Sequence, residues 1–395
     1  MTKRALTATI TAQDGPALGG RDGAGRSDGG VAIWSADYSL RTGQAIVTRR
    51  VAEHVLPRLG RRREYVFGAG SGPRAIAGWL AASLRLWRDV LRGRVATLYL
   101  VCSRSNAGFV RDIPALLVAR AGPRVIVHAH GSDIGDLLTG RPLSPLARLL
   151  YRRAALLVPS EHLRPELRDA GVRDLRVCEN FHIARERGAQ DQGGPLRLVW
   201  NSNLMASKGF FDTHAAVSEL RAEGLDIEFH VLGRPVGDEE LSEAEVRERV
   251  SRLVPDPGIT VHGSVAPEVA AEIVARADAV ALPSRYSSEC QPLALIEAMC
   301  AGKAIVAGDT PALRATLAGY PADYVPLRSV ASLADALRRL DREKRLGAGG
   351  FAERRRQAAD QARLRFSADR FDREMEALLS PARREPVGLA PGRAC

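Results

Sequence analysis

Aromatic residues are scarce in this sequence: phenylalanine, tryptophan and tyrosine together make up 5% of the 395 residues. A protein that holds single-stranded nucleic acid needs aromatic side chains interleaved with cationic ones, because the bases stack on the rings. The net charge of +11 would attract nucleic acid, but the shortage of such rings argues against that partner. We therefore predict no nucleic-acid partner and keep a basic nucleic-acid-binding protein only as a rival interpretation.

Cysteine is rare too, and its spacing does not indicate a metal site. The five cysteines are Cys102, Cys178, Cys290, Cys300 and Cys395. No two of them have CxxC spacing, which is typical of reduced thiols in a cytosolic protein and argues against a disulfide framework or a sulfur-bound zinc ion. No Asp-x-Asp pair follows a predicted strand to hold magnesium either. We expect no metal and no cofactor.

Long apolar runs are also missing. The strongest ones, residues 279–283 and 115–120, are far shorter than the roughly 20 apolar residues of a membrane-spanning helix. The residues that follow Lys3 and Arg4 are too weakly apolar for the core of a signal peptide. We therefore expect a cytoplasmic protein without a transmembrane helix.

The positive charge is concentrated in the first half of the chain. Residues 1–190 hold 30 Lys and Arg against 16 Asp and Glu, a net +14, whereas residues 191–395 hold 27 against 30, a net −3. Such a basic half attracts anionic lipid, nucleic acid or a phosphorylated substrate through its field. A generally basic surface without a dedicated partner explains the charge equally well.

Apolar periodicity divides the chain into two α/β domains. Residues 1–30 are rich in glycine and charge, lack a periodic apolar pattern and are predicted to be disordered. Strands and helices alternate over 31–185 and again over 195–365, with a polar, glycine-rich linker between them, and 366–395 forms a C-terminal helix and tail. This alternation predicts two Rossmann-like, doubly wound parallel sheets that face a central cleft.

A segment in the second series, "SSECQPLALIEAM", has a glutamate near each end of an apolar run. The preceding strand places Glu289 in a loop at its carboxyl end, and Pro292 at the first helical position puts Glu297 in the second turn. The free N–H groups of Leu293 and Ala294 would bind an anion that lies between the two carboxylates. One carboxylate would reach a sugar hydroxyl and the other a ribose diol. On the residues alone, a surface glutamate and a helix-dipole charge remain an equal alternative.

The longer stretch "PSRYSSECQPLALIEAMCAGKAIVAGDTPALRATL" resembles the donor-site signature of glycosyltransferase family 4, whose members are retaining enzymes with a GT-B fold and an E-x7-E motif. Five further segments resemble the family in the same order: "RTGQ", "HAHGSD", "VPSEHLRPELRDAGV", "SNLMASKG" and "EFHVLGRP". The resemblance runs from about residue 31 to about residue 379. It implies a GT-B fold, with the two domains closing on a nucleotide-sugar donor and an acceptor.

The resemblance also implies roles for individual residues. The catalytic set is His130, Lys208 and Glu289. The donor-binding set is Gly43, Asn203, Lys208, Gly209, Arg234, Gln291, Leu293, Ala294 and Glu297. The acceptor-binding set is Thr42, Gln44, Ser132 and Asp133. In the family, the lysine matching Lys208 neutralises the donor diphosphate and the departing diphosphate accepts the acceptor's proton, so Glu289 positions the sugar and stabilises charge.

Two histidines and one departure from the family pattern qualify this assignment. His130 matches the family histidine that faces the sugar, whereas His128, two residues earlier, is expected to pack deeper on the same face of the sheet. Without the resemblance, a strand-end histidine bonded to backbone is the more common reading of His130. Asn203 stands where the family usually has arginine, and whether Arg234, Arg285 or the helix N-termini compensate for the missing positive charge stays open.

The helix predicted over residues 76–94 is amphipathic and basic. Its apolar set is Trp79, Leu80, Leu84, Trp87 and Leu91, and its basic set is Arg85, Arg88, Arg92 and Arg94. Such a helix either packs on the core with a solvated basic face, which we favour, or lies on an anionic membrane. The second arrangement would bring a lipid-linked acceptor within reach.

Together with these patterns, the resemblance implies a cytoplasmic, metal-independent, retaining hexosyltransferase. It would move a sugar from a nucleotide-sugar to a glycan or lipid-linked acceptor in surface polysaccharide or glycoconjugate biosynthesis. Peripheral contact with the inner membrane face stays open. The alternatives are a GT-B-type sugar-nucleotide epimerase and a non-catalytic nucleotide-sugar binder. Donor base, sugar and acceptor are not legible in the sequence.

Overall fold

The computed structural model describes residues 29–38, 43–68, 72–103, 105–182, 194–253, 255–346 and 349–380. The predicted disordered segment, apart from its last two residues, lies outside these ranges. So do Thr42, residues 183–193 of the predicted linker, and the predicted tail beyond residue 380.

The first domain is built on a six-stranded parallel sheet in the order β2-β1-β3-β4-β5-β6. Its strands are β1 (Gly30–Ala36), β2 (Arg62–Phe67), β3 (Val95–Val101), β4 (Arg124–His128), β5 (Ala155–Val158) and β6 (Leu175–Val177). Its helices are α1 (Gly43–Arg50), α2 (Pro73–Leu91), α3 (Asn106–Leu117), α4 (Ile134–Thr139), α5 (Ser144–Tyr151) and α6 (Arg164–Asp169). The central strands are buried along their length, because helices cover both faces of the sheet.

The second domain has the same architecture, with the strand order β12-β11-β10-β7-β8-β9 and parallel pairing throughout. Its strands are β7 (Leu196–Asn201), β8 (Ile227–Leu232), β9 (Ile259–Gly263), β10 (Ala279–Leu282), β11 (Ala304–Gly308) and β12 (Asp323–Val325). Its helices are α7 (Phe210–Ala222), α8 (Glu243–Ser251), α9 (Pro267–Arg276), α10 (Leu293–Cys300), α11 (Pro311–Thr316), α12 (Val330–Leu346) and α13 (Gly349–Arg365). Two doubly wound sheets were predicted, and both are present.

The structure corrects the sequence-based elements in a few places. The segment "GQAIVTRRVAEHVL", residues 43–56, has the periodicity of one amphipathic helix. It is α-helical only to Arg50 and continues as one π turn over Val51–Val55 and a 3-10 turn over Leu56–Leu59. Pro57 has no N–H to donate, so the α-helical bonding pattern cannot continue through it. Pro292 precedes α10 as its N-cap and does not occupy the first helical position. The short elements α4 and β12 were not predicted, since three to six residues carry little periodicity.

The last helix, α14 (Ala368–Leu379), returns to the first domain. Its Phe371, Met375 and Leu379 are buried in the same apolar cluster as Val47 and Val51. In addition, the Arg50 guanidinium donates two hydrogen bonds of 2.9 and 2.7 Å to the buried carboxylate of Asp372. The chain therefore crosses between the domains twice.

Lys303 gives the second domain a predictable pH dependence. Its side chain is buried, its Nζ donates to the carbonyl of Ala275 at 2.6 Å, and burial lowers its pKa from 10.5 to about 8. Between these two values the unfolded chain binds more protons than the folded protein, so the free energy of unfolding rises with pH. We expect wild type to gain about 3 kcal/mol relative to Lys303→Met between pH 8 and 10.5 in denaturant titrations. A stability difference that does not change with pH would contradict this.

Candidate active site

A lysine and a glutamate meet at the carboxyl edge of the second sheet. The Nζ of Lys208 lies 3.2 Å from Oε2 of Glu289, and their side chains are only 16% and 10% exposed. The Ser284 hydroxyl donates to the same carboxylate oxygen at 3.1 Å, and the ammonium group also lies 5.7 Å from the centre of the Tyr286 ring. Because the pair is largely withdrawn from water, each charge acts strongly on anything that enters beside it.

The loop after β10 brings Glu289 to this position. Ser284 is buried beyond the strand end, and its hydroxyl accepts a hydrogen bond of 3.3 Å from the N–H of Tyr286. The N–H of Glu289 in turn donates to the Tyr286 carbonyl at 3.0 Å. The Pro-Ser strand end therefore both shapes the turn and holds the carboxylate. The sequence predicts that Glu289 lies in the loop after this strand, but it does not predict the role of Ser284.

The Lys208 segment is held by its neighbours on both sides. The N–H and hydroxyl of Ser207 donate to Asp238 at 2.7 and 2.8 Å, and the Arg285 N–H donates to the Ser207 carbonyl at 2.8 Å. Gly209 caps α7 with φ at 83°, and a Cβ there would lie 2.7 Å from the carbonyl oxygen of Pro283. Only glycine fits this left-handed, crowded position. Asp238 was missed, because nothing in the sequence links it to a segment 31 residues away.

The second glutamate of the motif lies under the start of α10. Oε2 of Glu297 accepts a hydrogen bond of 2.9 Å from Nδ2 of Asn201, the last residue of β7. Leu293 and Ala294 open the helix, where the first-turn N–H groups have no partner within the helix. A carboxylate, a strand-end amide and a helix N-terminus are thus adjacent, as the spacing of the motif predicted, and Asn201 is an addition.

The N-terminus of α1 meets that of α10 across the cleft. A Cβ added at Gly43 would lie 3.7 Å from Cδ1 of Leu293, which is an ordinary van der Waals distance, so the two helix starts are close neighbours. Gln44 follows in the first turn of α1 and is half-buried. Both helices present their positive ends to this space, which favours an anion such as a diphosphate.

A pair of histidines lies at the end of β4 in the first domain. His128 is buried as predicted, its Nδ1 lies 2.7 Å from the Tyr99 hydroxyl, and its ring centre is 4.0 Å from that of the half-buried His130. Burial, with the neighbouring His130, holds the pKa of His128 well below its usual value. His128 is therefore a neutral support for the His130 ring, and it lies deeper on the same face.

The segment after His130 touches the Glu289 loop directly. The Ser132 hydroxyl lies 2.6 Å from the Ser287 carbonyl and 3.0 Å from the Glu289 carbonyl, and the Ser132 N–H donates to Ser288 at 3.4 Å. Asp133 follows at the N-cap of α4. The structure thus brings the predicted acceptor residues Ser132 and Asp133 to the carboxylate loop of the other domain, with Ser132 bonded to that loop.

Gln291, predicted to bind the donor, is buried and used by the crossover between domains. Its Oε1 accepts from the N–H of Asn180 at 2.6 Å, its Nε2 donates to Glu179 at 3.0 Å, and its carbonyl accepts from Asn180 Nδ2 at 3.0 Å. The side chain therefore ties the start of α10 to the end of the first domain.

Neither Arg285 nor Arg234 directly supplies the positive charge that the family arginine would provide. Arg285 donates to Glu240 through two bonds of 2.8 Å and to Asp212 at 2.6 Å. Asn203 and Arg234 are exposed, and the Arg234 carbonyl accepts from the N–H of Leu204. The third candidate source includes the N-terminus of α10, the helix that carries Glu297.

The described ranges lack both a group of side chains that could hold a metal ion and a membrane-spanning helix. Within these ranges no group of three or more His, Cys, Asp or Glu side chains is arranged to hold a metal ion. No helix of the same ranges is both long and apolar enough to cross a membrane.

Comparison with known proteins finds a match for most of the second domain. Residues 195–342 match the family model described as glycosyl transferases group 1. The second domain is therefore similar to the glycosyl transferases of that group. Lys208, Glu289 and Glu297 all fall within the matched residues, whereas His130 and Ser132 come from the first domain.

A curated relative matches about two thirds of the chain. The chain is 23% identical over 290 residues to a Salmonella typhimurium protein named as the colanic acid biosynthesis glycosyltransferase WcaL, an alignment that covers 67% of this chain and 69% of the relative. Both domains contribute to an alignment of that length.

Solved structures confirm the predicted GT-B fold. Sucrose-phosphate synthase from Thermosynechococcus elongatus superposes with a TM-score of 0.65 at 15% identity, over 88% of this chain and 97% of that one. HepE of Anabaena in complex with UDP-glucose superposes with a TM-score of 0.64 at 16% identity, over 88% and 98% of the two chains. At such identities the likeness shows the fold alone.

Proposed function

We propose that the protein is a retaining, metal-independent glycosyltransferase that moves a hexose from a nucleotide-sugar donor to a glycan or lipid-linked acceptor in the cytoplasm. The observation that carries this proposal is the Lys208–Glu289 pair, 3.2 Å apart and largely buried. The pair lies at the carboxyl edge of the sheet in the second domain, where two helix N-termini and the His130 segment converge.

The donor diphosphate would occupy the space between the N-termini of α1 and α10. Lys208 would contact it while keeping Glu289 as its second partner, and Glu297, held by Asn201, would accept hydrogen bonds from the ribose hydroxyls. In this arrangement two helix dipoles and one ammonium group stabilise the negative charge that develops on the leaving group. These positive charges compensate for the family arginine, in whose position this chain has Asn203.

The transfer would take place on one face of the sugar. The bond from the anomeric carbon to the diphosphate oxygen breaks, the acceptor oxygen bonds to the same face, and the acceptor's proton passes to the departing diphosphate. Glu289 would hold the sugar hydroxyls and stabilise the positive charge that develops on the sugar. His130 would hydrogen-bond the sugar or the acceptor from the opposite domain.

The relatives support a role in the synthesis of surface polysaccharide. WcaL is named for colanic acid biosynthesis, and the HepE structure contains UDP-glucose. A UDP-sugar is therefore the first donor to test.

The decisive measurement is thermal stabilisation by nucleotides. We expect one of UDP, GDP, ADP, CMP and dTDP to raise the melting temperature of wild type, and Lys208→Ala and Glu297→Ala to lose most of that rise, because each removes a diphosphate or ribose contact. The controls are Arg247→Ala and Glu243→Ala, an exposed ion pair on α8 with the same charges. If no nucleotide stabilises wild type, the proposal fails.

The same nucleotide then distinguishes transfer from its alternatives. With donor alone, a transferase releases at most slow hydrolysis products, whereas an epimerase converts the donor to a second sugar-nucleotide, and a binder leaves it unchanged with any acceptor. Product analysis with and without a glycan acceptor separates the three.

A further inference from the structure

The helix α2 has two faces that differ in their surroundings. Ala82, Leu86 and Val90 pack in the core of the first domain. Trp79 and Trp87 donate from their indole N–H groups to the carbonyls of Arg111 and Pro114 on α3, at 2.9 and 3.1 Å. These contacts confirm that the helix packs on the core, as the sequence favoured, but they use only one side of it.

The other side of α2 is an exposed stripe of large apolar residues. Ile76, Leu80, Leu84 and Leu91 are 50%, 49%, 73% and 78% exposed. At 100° per residue these four side chains fall within about 80° of one another around the helix axis, so they form a single row. Isolated exposed leucines are ordinary, but a contiguous row marks an interaction surface.

The neighbouring helix α5 has two further leucines at its surface, and α3 links it to α2. Leu146 and Leu149 are 38% and 50% exposed, and α3 contacts both α2 and α5. We call the stripe on α2 together with Leu146 and Leu149 the leucine face. It lies on the side of the first domain that α2, α3 and α5 cover.

Arginines border the leucine face. Those on and after α2 are Arg74, Arg85, Arg88, Arg92 and Arg94, and those on and after α5 are Arg148, Arg152 and Arg153. All eight are exposed, and the only acid between residues 73 and 94, Asp89, is buried and bonded to Tyr65 and Arg94. The border is therefore almost purely cationic.

We propose that the leucine face docks on an anionic lipid bilayer. Leucines that enter the boundary between headgroups and acyl chains, with arginines that reach lipid phosphates, form the pattern of an interfacial amphipathic helix. The cationic border selects a negatively charged surface, to which each arginine adds attraction. A protein partner or a second copy of this basic first domain would need an acidic counterpart, and the border would repel a like-charged copy.

The orientation of α2 connects this docking to the cleft. The helix begins near the carboxyl end of β2, on the side of the sheet where the cleft lies, and runs back along the domain. A membrane against the leucine face would therefore lie beside the mouth of the cleft. Resting on the proposed transferase function, this placement makes a lipid-linked acceptor the natural substrate class.

Vesicle sedimentation tests the docking directly. We expect wild type to bind vesicles of phosphatidylcholine with 30% phosphatidylglycerol, and not vesicles of phosphatidylcholine alone. Leu84→Glu should weaken binding at least about tenfold, because it places a charge where an exposed apolar side chain would insert into the bilayer. Leu364→Glu is the matched control, since Leu364 is 69% exposed on α13, far along the chain from α2, and it should bind like wild type.

Charge and oligomeric state complete the design. Arg85→Glu with Arg92→Glu should weaken binding to the anionic vesicles, and Arg247→Glu on α8 should not. Equal binding by Leu84→Glu and wild type, or no binding by wild type, overturns the proposal. So does a wild-type dimer that Leu84→Glu dissociates, which would assign the face to a second copy. Stabilisation of Leu84→Glu by nucleotide checks the donor site separately, so failure of docking does not imply failure of the transferase proposal.

Discussion

Glu289→Gln should lower the turnover number by about 100-fold or more while the protein stays folded. The substitution keeps the shape of the side chain and the bond from Ser284, but it removes the charge that faces Lys208 at 3.2 Å. Stabilisation of developing charge in a site shielded from water is worth about 3 kcal/mol or more per group. The test is a steady-state assay with the nucleotide-sugar that the stabilisation screen identifies.

The control for Glu289→Gln is Glu243→Gln, an exposed glutamate on α8. It should keep wild-type turnover. A double-mutant cycle with Lys208→Met adds a second criterion, because two residues that act as a unit show effects that do not add. Turnover within threefold of wild type in Glu289→Gln would show that the carboxylate is not catalytic. A melting temperature lowered by more than about 10 °C would show that it is structural.

We expect Gly233→Ala to destabilise the second domain more than the replacement of any other glycine near the site by alanine. Gly233 follows β8 with φ at 124°, and a Cβ there would overlap the backbone carbonyl of Ser202, which follows β7. The left-handed backbone costs about 1–3 kcal/mol and overpacking about as much again. We expect the free energy of unfolding to fall by about 3–5 kcal/mol, as measured by denaturant titration.

Gly224→Ala separates the two causes. Gly224 has a similar backbone, with φ at 90°, but a Cβ there has nothing within 4 Å. It should therefore lose only the conformational part, about 1–3 kcal/mol. If the two variants lose the same stability, the contact with Ser202 contributes nothing. Because Ser202 and Asn203 begin the segment that leads to Lys208, Gly233→Ala should also weaken nucleotide binding.

Much of the architecture follows from local patterns. A continuous apolar run such as 279–282 indicates a strand buried on both faces, and the alternation of such runs with amphipathic segments indicates parallel sheets. Parallel strands end at the same edge, so the position of Glu289 after such a run predicts that it lies at the cleft. The spacing from Glu289 to Glu297 likewise placed the second carboxylate within a helix.

The hydrogen-bond and ion-pair partners of these residues could not be predicted from the sequence. Lys208 and Glu289 are 81 positions apart, Asn180 and Gln291 are 111 apart, and Arg50 and Asp372 are 322 apart. No periodicity links such positions, because the contacts depend on which strands are neighbours and on how the domains close. Gln291 shows the consequence: its motif placed it beside the donor, whereas the structure bonds it to the interdomain crossover.

The sequence by itself determined the two-domain α/β plan, the edge of each sheet at which the candidate site residues lie, and the residue types at that edge. Only the tertiary structure decided that Lys208 pairs with Glu289, that Arg285 is held by two carboxylates, that α14 returns to the first domain, and that the leucines of α2 remain exposed. The physical reason is that periodicity and turn chemistry act between near neighbours in the chain, whereas burial and ion pairing are settled by the packing of distant segments.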